Sequence, residues 1–212
     1  MDAVLLPDCP MPIARRLRLA LPLALAAFLP AACGDFASRA SQPAIPVTQW
    51  DHRPEAEDWS RATIAAIANG GNALVETPLD DVAAFCPGYD SATESERKKF
   101  WVALFSGLAK YESTWNPRAA GAGGRYRGLL QILPQTARWR GCEMTDASEL
   151  YDGATNLACA VRIASAAVER DGVVAGGPGA WGGVAADWPP LRDAAKRAEI
   201  AAFTRAQPYC RG

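Results

Sequence analysis

Glu112 and Ser113 stand side by side at the end of an apolar stretch with helical periodicity. At about 100° per residue, Phe100, Trp101, Leu104, Phe105, Leu108 and Tyr111 fall within one arc of roughly 140°. Lys99, Ser106 and Lys110 project from the other side, and Glu112 falls inside the apolar arc, between Trp101 and Phe105. A carboxylate among apolar neighbours loses hydration, which disfavours its charged form and raises its pKa toward the range of a general acid working near neutral pH. Position therefore suggests a proton donor. The competing role is that of a terminal glutamate in the last turn before Asn116-Pro117, bent out to solvent.

The segment downstream of Glu112 favours the first role. Residues 118–128 hold four glycines and lead into Gly128-Leu129-Leu130-Gln131-Ile132-Leu133-Pro134. Here the chain resembles the lytic transglycosylases. The first motif of that family's catalytic domain is a Glu-Ser pair at a helix end, matched within Ala109-Lys110-Tyr111-Glu112-Ser113-Thr114-Trp115-Asn116-Pro117. Its second is a Gly-Leu-(Leu/Met)-Gln run, matched by Gly128-Leu129-Leu130-Gln131. Two motifs in the right order are far more specific than either alone. The resemblance extends more loosely over residues 80–210, including Asn156-Leu157 and a tryptophan near Leu191-Arg192. The family's third motif, a tyrosine in an Ala-Tyr-Asn context, has no counterpart between Val174 and Arg192. Trp181 and Trp188 are the candidates to replace it, with structural packing the other role open to each.

The resemblance implies a lysozyme-like α domain acting on peptidoglycan glycan strands without a cofactor. In that reading Glu112 protonates the oxygen joining N-acetylmuramic acid to N-acetylglucosamine, while the muramoyl N-acetyl oxygen stabilises the cation developing at C1. The resulting carboxylate then takes the proton of the muramoyl 6-hydroxyl, which closes a 1,6-anhydro ring, so one residue serves as acid and then as base. Ser113 either orients the glutamate or the N-acetyl group, or bonds backbone carbonyls. Gln131 either donates an amide hydrogen bond into the cleft or anchors the glycine-rich loop. Tyr126 and Arg127 are candidates for stacking and for pairing a muramoyl lactyl or peptide carboxylate, or are merely exposed loop residues. Trp181 is the remaining candidate sugar contact. A muramidase would use the same glutamate with water as nucleophile and needs a second carboxylate, for which Glu143, Asp146, Glu149 and Asp152 are the downstream acids; Asp152 suits a helix cap. A non-catalytic wall-binding module is expected to have lost the acid, yet Glu112 is present.

The elements that must position these residues are helices. Helical patterns cover about residues 58–68, 95–114, 134–139, 155–168 and 191–203, and runs of strand-like alternation are scarce. The expected fold class is mainly α, with little or no β structure. Thr93 and Glu96 suit a capping box, Pro134 a first helical position, and Asn156, Leu157, Val161, Ala164 and Val168 an apolar stripe. Residues 34–57, rich in Pro, Ala, Ser and Gln, read as an extended tether. Residues 58–212 then form one catalytic domain, enough for a single core.

Both ends speak to location. Residues 11–32 read as a secretory signal, with Arg15, Arg16 and Arg18 before the short apolar run 19–29. Ala31-Ala32-Cys33 resembles a lipoprotein cleavage site, with Cys33 the lipidated first residue of the mature protein, although Pro30 stands where a branched aliphatic is usual. Ordinary signal cleavage nearby is the alternative, and a start at Met11 would leave out Cys9. Export is expected either way, to the periplasm of a Gram-negative bacterium as an outer-membrane-anchored lipoprotein, with that anchor the only membrane contact. Removing residues 1–33 changes the formal charge from -1 to -2, and nothing in that balance suggests nucleic acid. Cys86, Cys142, Cys159 and Cys210 make an even count suited to two disulfides. Of three possible pairings, Cys142–Cys159 closes a local loop and Cys86–Cys210 ties the tail to the domain's start. With no close cysteine pair and a single histidine, His52, in the polar lead, no metal site is expected.

Overall fold

The computed structural model describes residues 44–211; the signal-like segment, Cys9 and Cys33 lie outside them. In chain order the elements are α1 (Ala56–Ala68), α2 (Ala73–Glu76), α3 (Glu94–Ser113), the ladder β1 (Ala120–Gly121) with β2 (Tyr126–Arg127), α4 (Pro134–Trp139), α5 (Gly153–Asp171), the ladder β3 (Gly176–Gly177) with β4 (Ala180–Trp181), α6 (Val184–Asp187) and α7 (Ala194–Arg205). Both ladders are antiparallel pairs. The chain is therefore mainly α with very little β structure, as its periodicity implies.

Helix α3 is the axis of the core. It starts at the expected capping box: the Thr93 hydroxyl accepts from the Glu96 amide at 3.3 Å, and Glu96 Oε2 accepts from the Thr93 amide at 2.9 Å. Every residue from Phe100 to Ala109 is buried. That includes Ser106, which the helical projection places on the polar side. Its hydroxyl donates to the Ala103 carbonyl at 2.6 Å and accepts from the Gln49 amide at 3.1 Å.

Gln49 belongs to the segment read as a tether, and here the structure corrects the sequence. Thr48 and Trp50 are buried, and the Trp50 indole donates to Ser60 Oγ at 3.1 Å and stands edge-on to Trp59 at 5.8 Å. The fold thus begins well before residue 58. A single buried tryptophan removes 150–250 Å² from water, enough to seat a segment whose composition shows no periodicity at all.

Around α3, α1 and α2 pack on α5, and α7 lies along α3 itself. Asp152 caps α5, accepting from the Thr155 amide at 2.8 Å, and Pro134 opens α4. The last helix begins at Ala194, later than expected, because Asp193 caps it and Pro189–Leu191 forms a separate 3-10 turn. Both expected disulfides are present, Cys86–Cys210 and Cys142–Cys159.

Candidate active site

The run Gly128–Gln131 is held from several sides. Gly128 has φ 77°, and a Cβ there would lie 2.0 Å from the Leu150 carbonyl oxygen and 2.3 Å from Asn156 Nδ2; only glycine fits both the dihedral and the space. Asn156 is fully buried. Its Nδ2 donates to the Arg127 and Leu150 carbonyls, each at 2.9 Å, and its Oδ1 accepts from the Leu130 amide at 2.9 Å. Trp188 donates from Nε1 to the Leu130 carbonyl at 2.9 Å and sets its ring edge-on to Phe105 of α3 at 6.4 Å. The loop is thereby fixed to the axis helix through the core. Trp188 is a buried packing residue.

Gln131 has φ 46° and turns its amide back onto the loop, donating to the Ala119 carbonyl at 3.2 Å and the Gly128 carbonyl at 2.9 Å. Both amide hydrogens are engaged on the loop, as the anchoring role of its two requires, and Oε1 is turned toward Gly121. Gln131 lines a cavity of about 150 Å³ with Tyr126, Leu133, Thr136 and Trp188. Tyr126 is exposed. Arg127 is engaged locally, with Nε donating to the Gly124 carbonyl at 3.3 Å and its guanidinium 5.4 Å from the Tyr151 ring centre. Trp181 is half-buried, with the Arg197 guanidinium 5.0 Å from its ring.

Glu112 sits on a turn of opposite character. Helix α3 stops because Thr114 (φ 53°) and Trp115 (φ 55°) both enter the left-handed region, an arrangement that costs roughly 1–2 kcal/mol per non-glycine residue. Trp115 holds the turn: its amide donates to the Ala109 carbonyl at 3.2 Å and its indole to the Ser106 carbonyl at 2.9 Å. His52, in the polar lead of the sequence, is exposed but lies edge-on to Trp115 at 4.7 Å. The Ser113 hydroxyl donates to the Ala109 carbonyl at 3.2 Å, the backbone-bonding role of its two.

Among the described residues the half-buried Glu112 carboxyl has no hydrogen-bond partner, and burial pushes its pKa up from the ordinary 4.5 to about 7, against the opposing pull of the Lys196 ammonium. No carboxylate contributes to that shift. The adjoining Tyr111 donates to Glu199 Oε2 at 2.5 Å, and Glu199 pairs with Lys110. Lys110 and Lys196 each place Nζ 5.4 Å from the Tyr111 ring centre.

The downstream acids are occupied elsewhere. Asp146 and Glu149 form the capping box of the 3-10 turn Ala147–Tyr151, Asp152 caps α5, and Glu143 is exposed near Arg162 at 3.9 Å. No Asp or Glu lies between Glu112 and Glu143 in the sequence. Sequence reading missed Asn156 as the clamp of the second motif, Trp115 as the brace of the first, and Lys196 altogether. Only Asn156 left a trace, as part of the Asn156-Leu157 pair in the apolar stripe of α5.

The family model described as Transglycosylase SLT domain matches residues 91–171, a span that holds Glu112, Gly128–Gln131 and all of α5. None of the curated proteins matches the chain. Among solved structures the chain is similar to Bd0314 DslA. The wild type in form 2 is 29% identical over 78% of this chain and 98% of that one, with a TM-score of 0.71. One glutamate-to-glutamine mutant of the same protein is 30% identical over 80% and 100%, with a TM-score of 0.72. A second such mutant is 28% identical over 79% and 99%, with a TM-score of 0.71.

Proposed function

The chain belongs to the SLT transglycosylase family, and from that premise we propose that it is a lytic transglycosylase cleaving the β-1,4 bond from N-acetylmuramic acid to N-acetylglucosamine in peptidoglycan. The observation that carries the proposal is Glu112: a carboxyl in a partly desolvated site, without a hydrogen-bond partner among the described residues and raised to about 7. Such a group is protonated often enough at neutral pH to act as an acid and is basic enough afterwards to act as a base.

In the first step the Glu112 proton passes to the glycosidic oxygen as the C1–O bond breaks, and the muramoyl N-acetyl oxygen donates electron density to C1. In the second, the Glu112 carboxylate takes the proton of the 6-hydroxyl, O6 bonds to C1, and the N-acetyl oxygen is released. Glu112 ends as it began and no water is consumed. A route needing one carboxylate fits a site where no second acid bears on the first. Gln131 Oε1, the exposed Tyr126 and the half-buried Trp181 are the proposed glycan contacts, and the Ser113 hydroxyl supports the turn that carries Glu112. Two disulfides suit an exported protein of the cell envelope, and lipidated Cys33 is the proposed outer-membrane anchor.

The test is mass spectrometry of muropeptides released from purified sacculi by the protein and by a Glu112→Gln control. Products one water lighter than reducing-end muropeptides, absent with the control, are expected. Reducing ends would replace this reading with a muramidase, and no release with a binding module.

A further inference from the structure

We propose that Lys196 is the cleft's receptor for a carboxylate carried by the glycan substrate, and so a determinant of substrate preference. The proposal rests on the reading of Glu112 as the group acting on muramoyl glycans.

Of the cations near Tyr111, Tyr126 or Trp181, Lys110, Arg127 and Arg197 each have work within the fold, and Arg125, beside Tyr126, projects from the glycine-rich loop and is exposed. Lys110 is paired with Glu199. Arg127, the sequence's candidate for this task, donates to the Gly124 carbonyl and lies over Tyr151. Arg197 donates to the Leu191 carbonyl at 2.9 Å and lies over Trp181. Among the described residues Lys196 makes no ion pair, and it is only half-buried. The nearest acid in sequence, Asp193, accepts from the backbone amides of Ala195 and Lys196, both at 3.0 Å, as the cap of α7.

Its position is also a poor one for stability. Lys196 lies in the first turn of α7, where the helix dipole disfavours a cation. What fixes it there is the Tyr111 ring, itself tethered through its hydroxyl to Glu199. Tyr111 directly precedes Glu112, and the Lys196 charge is felt by the Glu112 carboxyl. The ammonium, without an ion pair among the described residues, is therefore held over the ring of the residue that precedes Glu112. Muramoyl residues bring carboxylates to that place. The lactyl group carries one on a strand stripped of peptide, and the stem peptide carries others on a strand that retains it.

The experiment measures binding by calorimetry at low salt in the full chain carrying Glu112→Gln, so that no turnover intervenes. Lys196→Met and Lys196→Arg are added separately. Three glycan oligomers are compared: peptide-stripped, peptide-bearing, and peptide-stripped with its carboxylates methyl-esterified. Lys196→Met is expected to weaken binding of a carboxylate-bearing oligomer about tenfold, as loss of a charge-assisted hydrogen bond implies. Lys196→Arg is expected to keep most of that affinity, and the ester to bind Lys196→Met and its parent alike. Whichever of the first two oligomers loses affinity identifies the carboxylate, lactyl or peptide. Equal losses on all three oligomers, no loss on any, or no binding by the parent would overturn the proposal. None of these outcomes bears on product mass, which tests the catalytic reading separately.

Discussion

The two motifs of the site are built on opposite principles. In the Gly128–Gln131 loop the Leu130 amide and carbonyl and the Gln131 amide hydrogens are paired and the side chains of Leu129 and Leu130 are fully buried, with Asn156 alone supplying three hydrogen bonds. At the Glu112 turn the backbone is strained at two successive residues and the carboxyl is left unpaired among the described residues. One region is tied down from several sides. The other leaves the proposed acid unpaired among the described residues, and it holds its geometry because Trp115, Ser106 and the Gln49–His52 segment brace it. On this reading the unpaired carboxyl marks the proposed chemistry, and the densely bonded loop marks scaffold.

Breaking the scaffold should have the largest effect. Gly128→Ala meets both a left-handed dihedral and three atoms closer than any Cβ tolerates, so a loss of at least ~3–4 kcal/mol is expected, read as a collapsed urea midpoint. Asn156→Ala leaves the Leu130 amide and the Leu150 carbonyl without their Asn156 partner near the core and takes one of two bonds from the Arg127 carbonyl, which keeps the Ile132 amide. It should cost about 2–4 kcal/mol in the same assay.

Changing the reactive region should move stability the other way. The Glu112 pKa of about 7 lies above the ordinary 4.5, so the folded protein holds a proton that the unfolded chain has released, and its stability falls as pH rises through that window. Glu112→Gln, which mimics the protonated acid, should abolish glycan cleavage yet gain about 1–3 kcal/mol over the wild type at pH 8 and almost nothing at pH 4. Denaturant melts at the two pH values check this, and a loss at pH 8 would contradict it. The smallest effect sharpens the comparison. Lys196→Met removes the charge that favours the Glu112 carboxylate, so the alkaline limb of the activity profile should move to higher pH.

Much of this was legible in local pattern. The Thr93–Glu96 capping box, the Asp152 cap, Pro134 at the start of α4 and the apolar arc around Glu112 are short-range features, and short-range rules reach them. So does the even cysteine count, although choosing among three pairings needed the idea that the tail returns to the start. The 44–57 segment was illegible because Trp50 is a single apolar residue whose burial depends on Ser60 and α3, not on any periodicity. Ser106 misled for the same reason: a helical projection assumes a solvent face, and this helix has none along its middle. Asn156 and Lys196 act across the chain on Leu130 and Glu112, and no spacing rule connects residues so far apart.

The most direct test is a carbon-detected NMR titration of the Glu112 side-chain carboxyl, assigned by its loss in Glu112→Gln. A midpoint near 7 is the predicted result, set by burial without a hydrogen-bond partner. A midpoint in the ordinary carboxylate range, about 4–5, would mean that Glu112 is solvated or paired and that the turn carries no poised acid.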